Sequence, residues 1–395
     1  MDWLRTLRGA PLTAALVFSL LVTWPHDGSA GPREQAKRMH DRLVGVPPSE
    51  AVLASMQSSI EVDLDPAAAA YTAMQNPVFY ISALKNFATP WTNVPQTVFA
   101  DLNDYSATVI GMIRDDVPFD QVLYGDIVYV GAAGVVGTGY SQTDNLHYQQ
   151  LEQSRADLSD PAVLVRRLQS TLPGSALTAA DTAGVLTTRA AGEAFFSAGT
   201  NRRMWRFTAK NYLCRDMEQL NDITRPADRI RQDIGRSPGG DSRIFHNTCV
   251  GCHSGMDPLA GAFAFYQWDE AQARVVFTRA SVQPKYLINA NTFPGGYVTV
   301  DDSWQNLWRI GPNSSLGWRA AAGAGNGPKT LGMEVAASRA FSECQVQKVF
   351  RRVCLRAPDS DADRLAVQNM ANDFDTGNHS MKRVFAETAA YCLGN

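Results

Sequence analysis

The chain of 395 residues has no excess of positive charge: 36 Lys and Arg stand against 39 Asp and Glu, a net charge of −3. That removes the field by which a protein gathers nucleic acid. The short positive clusters, Arg202-Arg203, Arg229 with Arg231, and Arg351-Arg352, form no long run of like charge. Past residue 22 no apolar stretch reaches the length of about 20 residues that a membrane helix needs. No Ser-His-Asp order, phosphate-binding glycine loop or His-Glu-x-x-His is present. The neighbouring carboxylates Asp115-Asp116 and Asp301-Asp302 are expected as caps or solvated turns. No internal repeat is found. Cysteine and histidine are scarce, six of each, so the places where they fall carry information.

The N-terminus has the pattern of an export signal. Arg5 and Arg8 precede the apolar stretch LTAALVFSLLV at 12–22, and Gly28-Ser29-Ala30 offers small residues for cleavage after Ala30. The apolar stretch is too short to span a bilayer, so residues 1–30 are expected to be removed. The mature chain is then periplasmic or secreted, with no membrane span. In such a compartment disulfides persist. Cys214, Cys344, Cys354 and Cys392 lie outside the motif discussed below and can pair in three ways. Sequence alone does not choose among them. The expectation is Cys354 with Cys392 and Cys214 with Cys344, the first pair stapling two C-terminal helices.

The fold class expected is mainly α, with a helical, cytochrome-c-like region and a few short strands. Ser49 is a natural N-cap before EAVLASMQSSI, and Asp65 caps a helix with Pro66 at its first position. The segment through GDIVYVG turns β-rich, and the glycines of 130–139 mark a loop or domain edge. A second helical block is expected from Asp160 to about Asn221. RVVFTRASVQPKYLI and GGYVTV read as strands, and the last 65 or so residues as helices. The divisions expected are an N-terminal helical domain at 31–140, a second helical region at 141–240, and a third region at 241–395.

The third region contains Cys249-Val250-Gly251-Cys252-His253. A zinc site needs a second pair of ligands, and from His253 to Cys344 there is no further cysteine or histidine. A redox dithiol would follow a βαβ pattern, and none precedes Cys249. The spacing matches covalent haem c: two cysteines form thioethers and the adjacent histidine ligates iron. One motif implies one haem per chain, with Cys249 and Cys252 as attachment residues and His253 as proximal ligand. For the opposite side of the iron, Met333 in GPKTLGMEV follows a Gly-Pro-rich loop and is the methionine expected to reach it. Met256 lies too close to His253 to reach that side, and His147 and His246 are minor candidates. Asp257-Pro258 is expected to turn the chain and orient His253, whose ring N–H needs an acceptor. Phe263, with Phe265, Tyr266 and Trp268, is expected in the apolar haem wall.

CVGCHSGMDPLAGAFAFYQWDE resembles the motif of the planctomycete-type secreted c cytochromes, proteins built from domains of unknown function. There CxxCH is followed by Asp-Pro-Leu or Ile, then by Gly-Phe-Ala-Leu-Glu-x-Phe-Asp. Cys249, Cys252, His253, Asp257, Pro258, Leu259, Gly261, Phe263, Ala264 and Asp269 fit once Ala260 or Ala262 is counted as an insertion; Tyr266 stands where the family has Glu. LVGVPPS at 43–49 is similar to Leu-Thr-Gly-Leu-Pro-Pro-Thr. IRDDVPFDQVL at 113–123 and FSECQVQKVFRRVCLRAP also resemble family segments. The likeness spans most of residues 40–390 and implies a mono-haem protein serving the redox metabolism of exported substrates, without supplying a reaction.

Two functions follow as expectations. The first is electron transfer, as the haem subunit or partner of an extracytoplasmic oxidoreductase, with a redox partner protein. The second is a haem enzyme or small-ligand-binding haem protein whose iron has an open distal position; the chain is much longer than the roughly 100 residues of a simple carrier domain.

Overall fold

The computed structural model describes residues 30–196 and 199–394, so the expected export signal lies outside them except for Ala30. Helix α1 (Pro32–Val44) stops at Gly45, whose φ of 86° is the left-handed conformation that glycine adopts without a Cβ penalty. Helix α2 (Glu50–Glu61) starts where the Ser49 hydroxyl accepts the Val52 N–H. In α3 (Pro66–Ala73) the Asp65 carboxylate accepts the Ala68 N–H and Pro66 takes the first position. A π-helical turn, Phe79–Leu84, runs into α4 (Lys85–Ala88). Every residue of α5 (Asp104–Arg114) is buried. Then come α6 (Leu146–Gln153), α7 (Arg189–Phe195), α8 (Arg202–Tyr212), α9 (Ser242–Ile244) and α10 (Val250–Ala260). The chain ends on α11 (Gly327–Ala336), α12 (Arg339–Cys354), α13 (Asp361–Thr376) and α14 (Met381–Tyr391).

The fold is mainly α, as expected. Three small antiparallel pairs complete it among the described residues: β1 (Val128–Gly131) with β2 (Leu164–Arg167), β3 (Tyr266–Asp269) with β4 (Arg274–Phe277), and β5 (Ser303–Gln305) with β6 (Ala324–Asn326). β1 and β2 pair across the glycine-rich segment, Val128 facing Arg167 and Gly131 facing Leu164. That pairing corrects one expectation. The chain from 160 is extended and in short 3-10 turns rather than helical, regular helix returning at Arg189. After β1 the glycine-rich segment runs on as a loop, one of the two readings expected for it; the main core draws residues from Ala36 to Cys392. GGYVTV forms no strand; Tyr297 makes one isolated bridge, to Arg231.

The ends of the chain meet. α14 packs on α3, and α12 packs on α13 and α14; the Arg42 guanidinium donates to the Cys392 carbonyl at 2.9 Å. Two disulfides fix this arrangement, with the expected pairing. Cys214–Cys344 ties the end of α8 to α12, with Cα atoms 5.3 Å apart. Cys354–Cys392 staples α12 to the end of α14, with Cα atoms 5.6 Å apart. No helix among the described residues is long and apolar enough to cross a membrane.

Candidate functional site

Helix α10 carries the motif, and its small residues decide which face is buried. At 3.6 residues per turn, Gly251, Ser254, Gly255 and Pro258 share one side. A Cβ on Gly251 would fall 1.6 Å from Oδ1 of Asn221, and one on Gly255 would fall 2.0 Å from Nε1 of Trp308. The Ser254 hydroxyl donates to the Asp222 carbonyl at 3.2 Å. The helix backbone is thus pressed against the Asn221 amide and the Trp308 indole on this side. Cys249, Cys252, His253 and Met256 lie on the opposite stripe. Both cysteines are free thiols and half-buried, whereas the other four are closed in disulfides. Burial, then the Glu218 carboxylate, pushes the Cys252 thiol up from its ordinary value, so it is held protonated.

Exposed apolar side chains flank the packed side of the motif helix, and a groove adjoins the stripe. Ile223 is 66% exposed and Ile244 is 44% exposed. Ile223 sits beside Gly251, its Cγ2 lying 3.2 Å from where a Cβ would be. The Cys252 sulfur is 3.6 Å from the Met217 carbonyl. Met217 and Met256 line a groove of about 510 Å³ together with Val94, Phe207 and the guanidinium groups of Arg202, Arg203 and Arg206.

His253 is held from one side. Its Nδ1 lies 3.1 Å from Oδ1 of Asp257, one turn on. Asp257 is fully buried, which opposes its ionisation. Arg202 outweighs that by charge and hydrogen bonds, helped by His253 and Arg231, and holds the carboxyl well below the usual carboxylate range. The carboxylate therefore only accepts, and the proton of this bond sits on Nδ1. In the neutral imidazole, Nε2 then carries the free lone pair, the form in which histidine binds a metal.

Arg202 makes two bonds to Asp257, at 2.6 and 2.9 Å, and two to Asp233, at 2.6 and 2.8 Å. The Arg231 backbone N–H donates to Oδ2 of Asp257 at 3.1 Å, and its guanidinium donates to the Asp257 carbonyl at 2.8 Å. Removing one partner of so buried a pair typically costs about 3–5 kcal/mol, so the network fixes α10 as well as His253.

Several expected site residues lie elsewhere. Asp257-Pro258 does not turn the chain, since α10 runs through it to Ala260. Asp257 is nevertheless the acceptor for His253. Pro258 is on the packed side, away from the thiols. Phe263 is fully buried in the main core, its ring 5.9 Å from that of Phe196. Tyr266 and Trp268 belong to β3 and pack inward there, Tyr266 against Phe196 and Phe277.

Met333 is 42% exposed on α11 and lines a separate groove with Asp120, Tyr124, Asp375 and His379, in which no motif residue takes part. The structure does not bring it to His253. His147 is buried and both its nitrogens are engaged: Nε2 accepts the Gly131 N–H at 2.9 Å and Nδ1 meets the Thr138 carbonyl at 2.7 Å. His246 is exposed on the turn before Cys249. Among the described residues no group of three or more His, Cys, Asp or Glu is arranged to hold a metal ion on its own. Sequence reasoning missed Arg202 and Arg231, which stand 55 and 26 residues before Asp257 and carry no local signal.

No family model, curated protein or solved structure matches this chain.

Proposed function

We propose that the chain is an exported mono-haem c-type cytochrome acting in electron transfer, as the haem subunit or partner of an extracytoplasmic oxidoreductase. In this reading Cys249 and Cys252 hold the haem through thioethers and His253 is the proximal ligand. One observation carries it. Of six cysteines, the two beside His253 stay unpaired on one helix face, and the imidazole next to them has Nδ1 committed to Asp257 and Nε2 left for a metal. The groove beside Cys252, lined by Val94, Phe207, Met217 and Met256, suits an apolar macrocycle. The resemblance of the motif to the planctomycete-type secreted cytochromes supports the same reading. When bound, the haem iron supplies one-electron chemistry. The chain's own part is to hold His253 in one tautomer, to keep water from Asp257, and to present the attachment thiols on a rigid helix. The visible spectrum of the purified protein, oxidised and reduced, tests this; absence of a c-type haem spectrum that survives denaturation would reject it.

The position of Met333 favours a second reading, in which the distal side of the iron is open and the protein binds or turns over a small ligand. Carbon monoxide decides between them. A reduced spectrum unmoved by the gas supports electron transfer with both axial positions filled, and a shifted one supports the open site.

A further inference from the structure

We propose that Arg202 sets how strongly His253 donates electrons to the iron, acting through Asp257, and is thus a positioning residue for the proximal ligand; this rests on the haem reading above. The geometry is a competition for one atom. Oδ1 of Asp257 accepts from Nε of Arg202 at 2.6 Å and from Nδ1 of His253 at 3.1 Å. Charge-assisted N–H···O bonds usually fall at about 2.7–2.9 Å, so the arginine holds the shorter bond and the histidine the slack one. A carboxylate on the far nitrogen of a ligating histidine raises the basicity of the nitrogen on the metal. A carboxylate already neutralised by a guanidinium does so less.

The arrangement is fixed from both sides. Asp233 grips the other edge of Arg202 with two bonds, at 2.6 and 2.8 Å, which locks the guanidinium plane. Asp257 has a side chain 0% exposed and that of Arg202 is 17% exposed, so water does not substitute for either partner. Three separate stretches of chain meet here: α8 supplies Arg202, α10 supplies His253 and Asp257, and the loop before α9 supplies Asp233. Arg203, the next residue on α8, is an internal control. Its guanidinium lies 6.0 Å from the Phe207 ring and makes no ion pair among the described residues. It carries the same charge without access to Asp257.

The test is an equilibrium redox titration of the full-length protein, followed at its visible bands. Asp257→Asn keeps the shape and an oxygen for His253 but loses the charge; its midpoint potential is expected to rise. Arg202→Gln frees Oδ1 for His253 and is expected to shift the equilibrium toward the oxidised form on the order of tenfold, about 59 mV for a one-electron couple. Arg203→Gln should shift it much less. Equal shifts for Arg202→Gln and Arg203→Gln, or an unchanged potential in Asp257→Asn, would overturn the proposal while leaving the haem reading intact. Should Arg202→Gln fail to fold, the Asp257→Asn result decides alone. A wild-type protein without covalent haem would overturn both.

Discussion

Nε1 of Trp308 lies where the side chain of residue 255 would begin, 2.0 Å from a Cβ built on Gly255. The indole is fully buried, packs 5.9 Å from the Trp205 ring, and its N–H has no partner. The tryptophan therefore serves as a wall against which the motif helix is set. Gly255→Ala is expected to destabilise the protein by roughly 1–3 kcal/mol, the cost of overpacking a filled core. A urea titration measures this, and an unchanged midpoint would show that the wall yields.

Cys249 and Cys252 sit on the open stripe, so their loss should touch cofactor rather than fold. The double variant Cys249→Ala/Cys252→Ala is expected to lose all haem staining after denaturing electrophoresis, with an unfolding midpoint close to wild type. Staining that persists in the double variant would sink the attachment reading.

The Cys354–Cys392 bridge spans 38 residues of sequence, and its removal should matter for stability alone. Cys354→Ser/Cys392→Ser is expected to cost about 3–4 kcal/mol, from the loop entropy restored to the unfolded chain. The check is the denaturant midpoint with the visible spectrum recorded alongside. A changed spectrum at an unchanged midpoint would contradict the division of labour among the cysteines.

Lys285 gives a pH dependence with a definite sign. Burial lowers it from 10.5 to about 8, and its ammonium donates to the Phe196 carbonyl at 2.7 Å. Below pH 8 both folded and unfolded chains hold the proton, and the folded state bears the full cost of the buried charge. Between pH 8 and 10.5 the unfolded chain binds more protons, so this group's contribution to stability rises with pH. The swing is on the order of 3 kcal/mol. Lys285→Met should abolish it: the wild type gains stability over the variant across that interval, and parallel pH profiles would count against it.

The local signals in the sequence were read correctly where the chain answers to local rules. Ser49, and Asp65 with Pro66, cap their helices because caps depend on neighbouring backbone groups. The disulfide pairing followed from expecting the last helices to lie together. The misreadings share a different cause. Leu164–Arg167 is a strand because Val128–Gly131 is there to receive it, and no helical or strand period within the segment itself reports a partner that far away. The groove in which Met333 lies is likewise set at long range, since α11 packs on the turn at Phe119–Leu123 and on Gly261–Phe263. The grouping of Cys249, Cys252 and His253 on one helix face is legible because the three are near neighbours in sequence; Arg202 and Arg231 are not, because they reach Asp257 only through tertiary structure.

The bridge between Cys214 and Cys344, 130 residues apart, closes the chain into a covalent ring. Asp233, Cys249, Cys252, His253 and Asp257 are threaded on that ring, and Arg202 stands just outside it. A protease that cuts an exposed stretch within it, such as the one bearing Val298 and Val300, releases no fragment. The nicked protein runs as one species on a gel without reductant and falls into two pieces once the bridge is reduced, the histidine staying with whichever arc the cut assigns it.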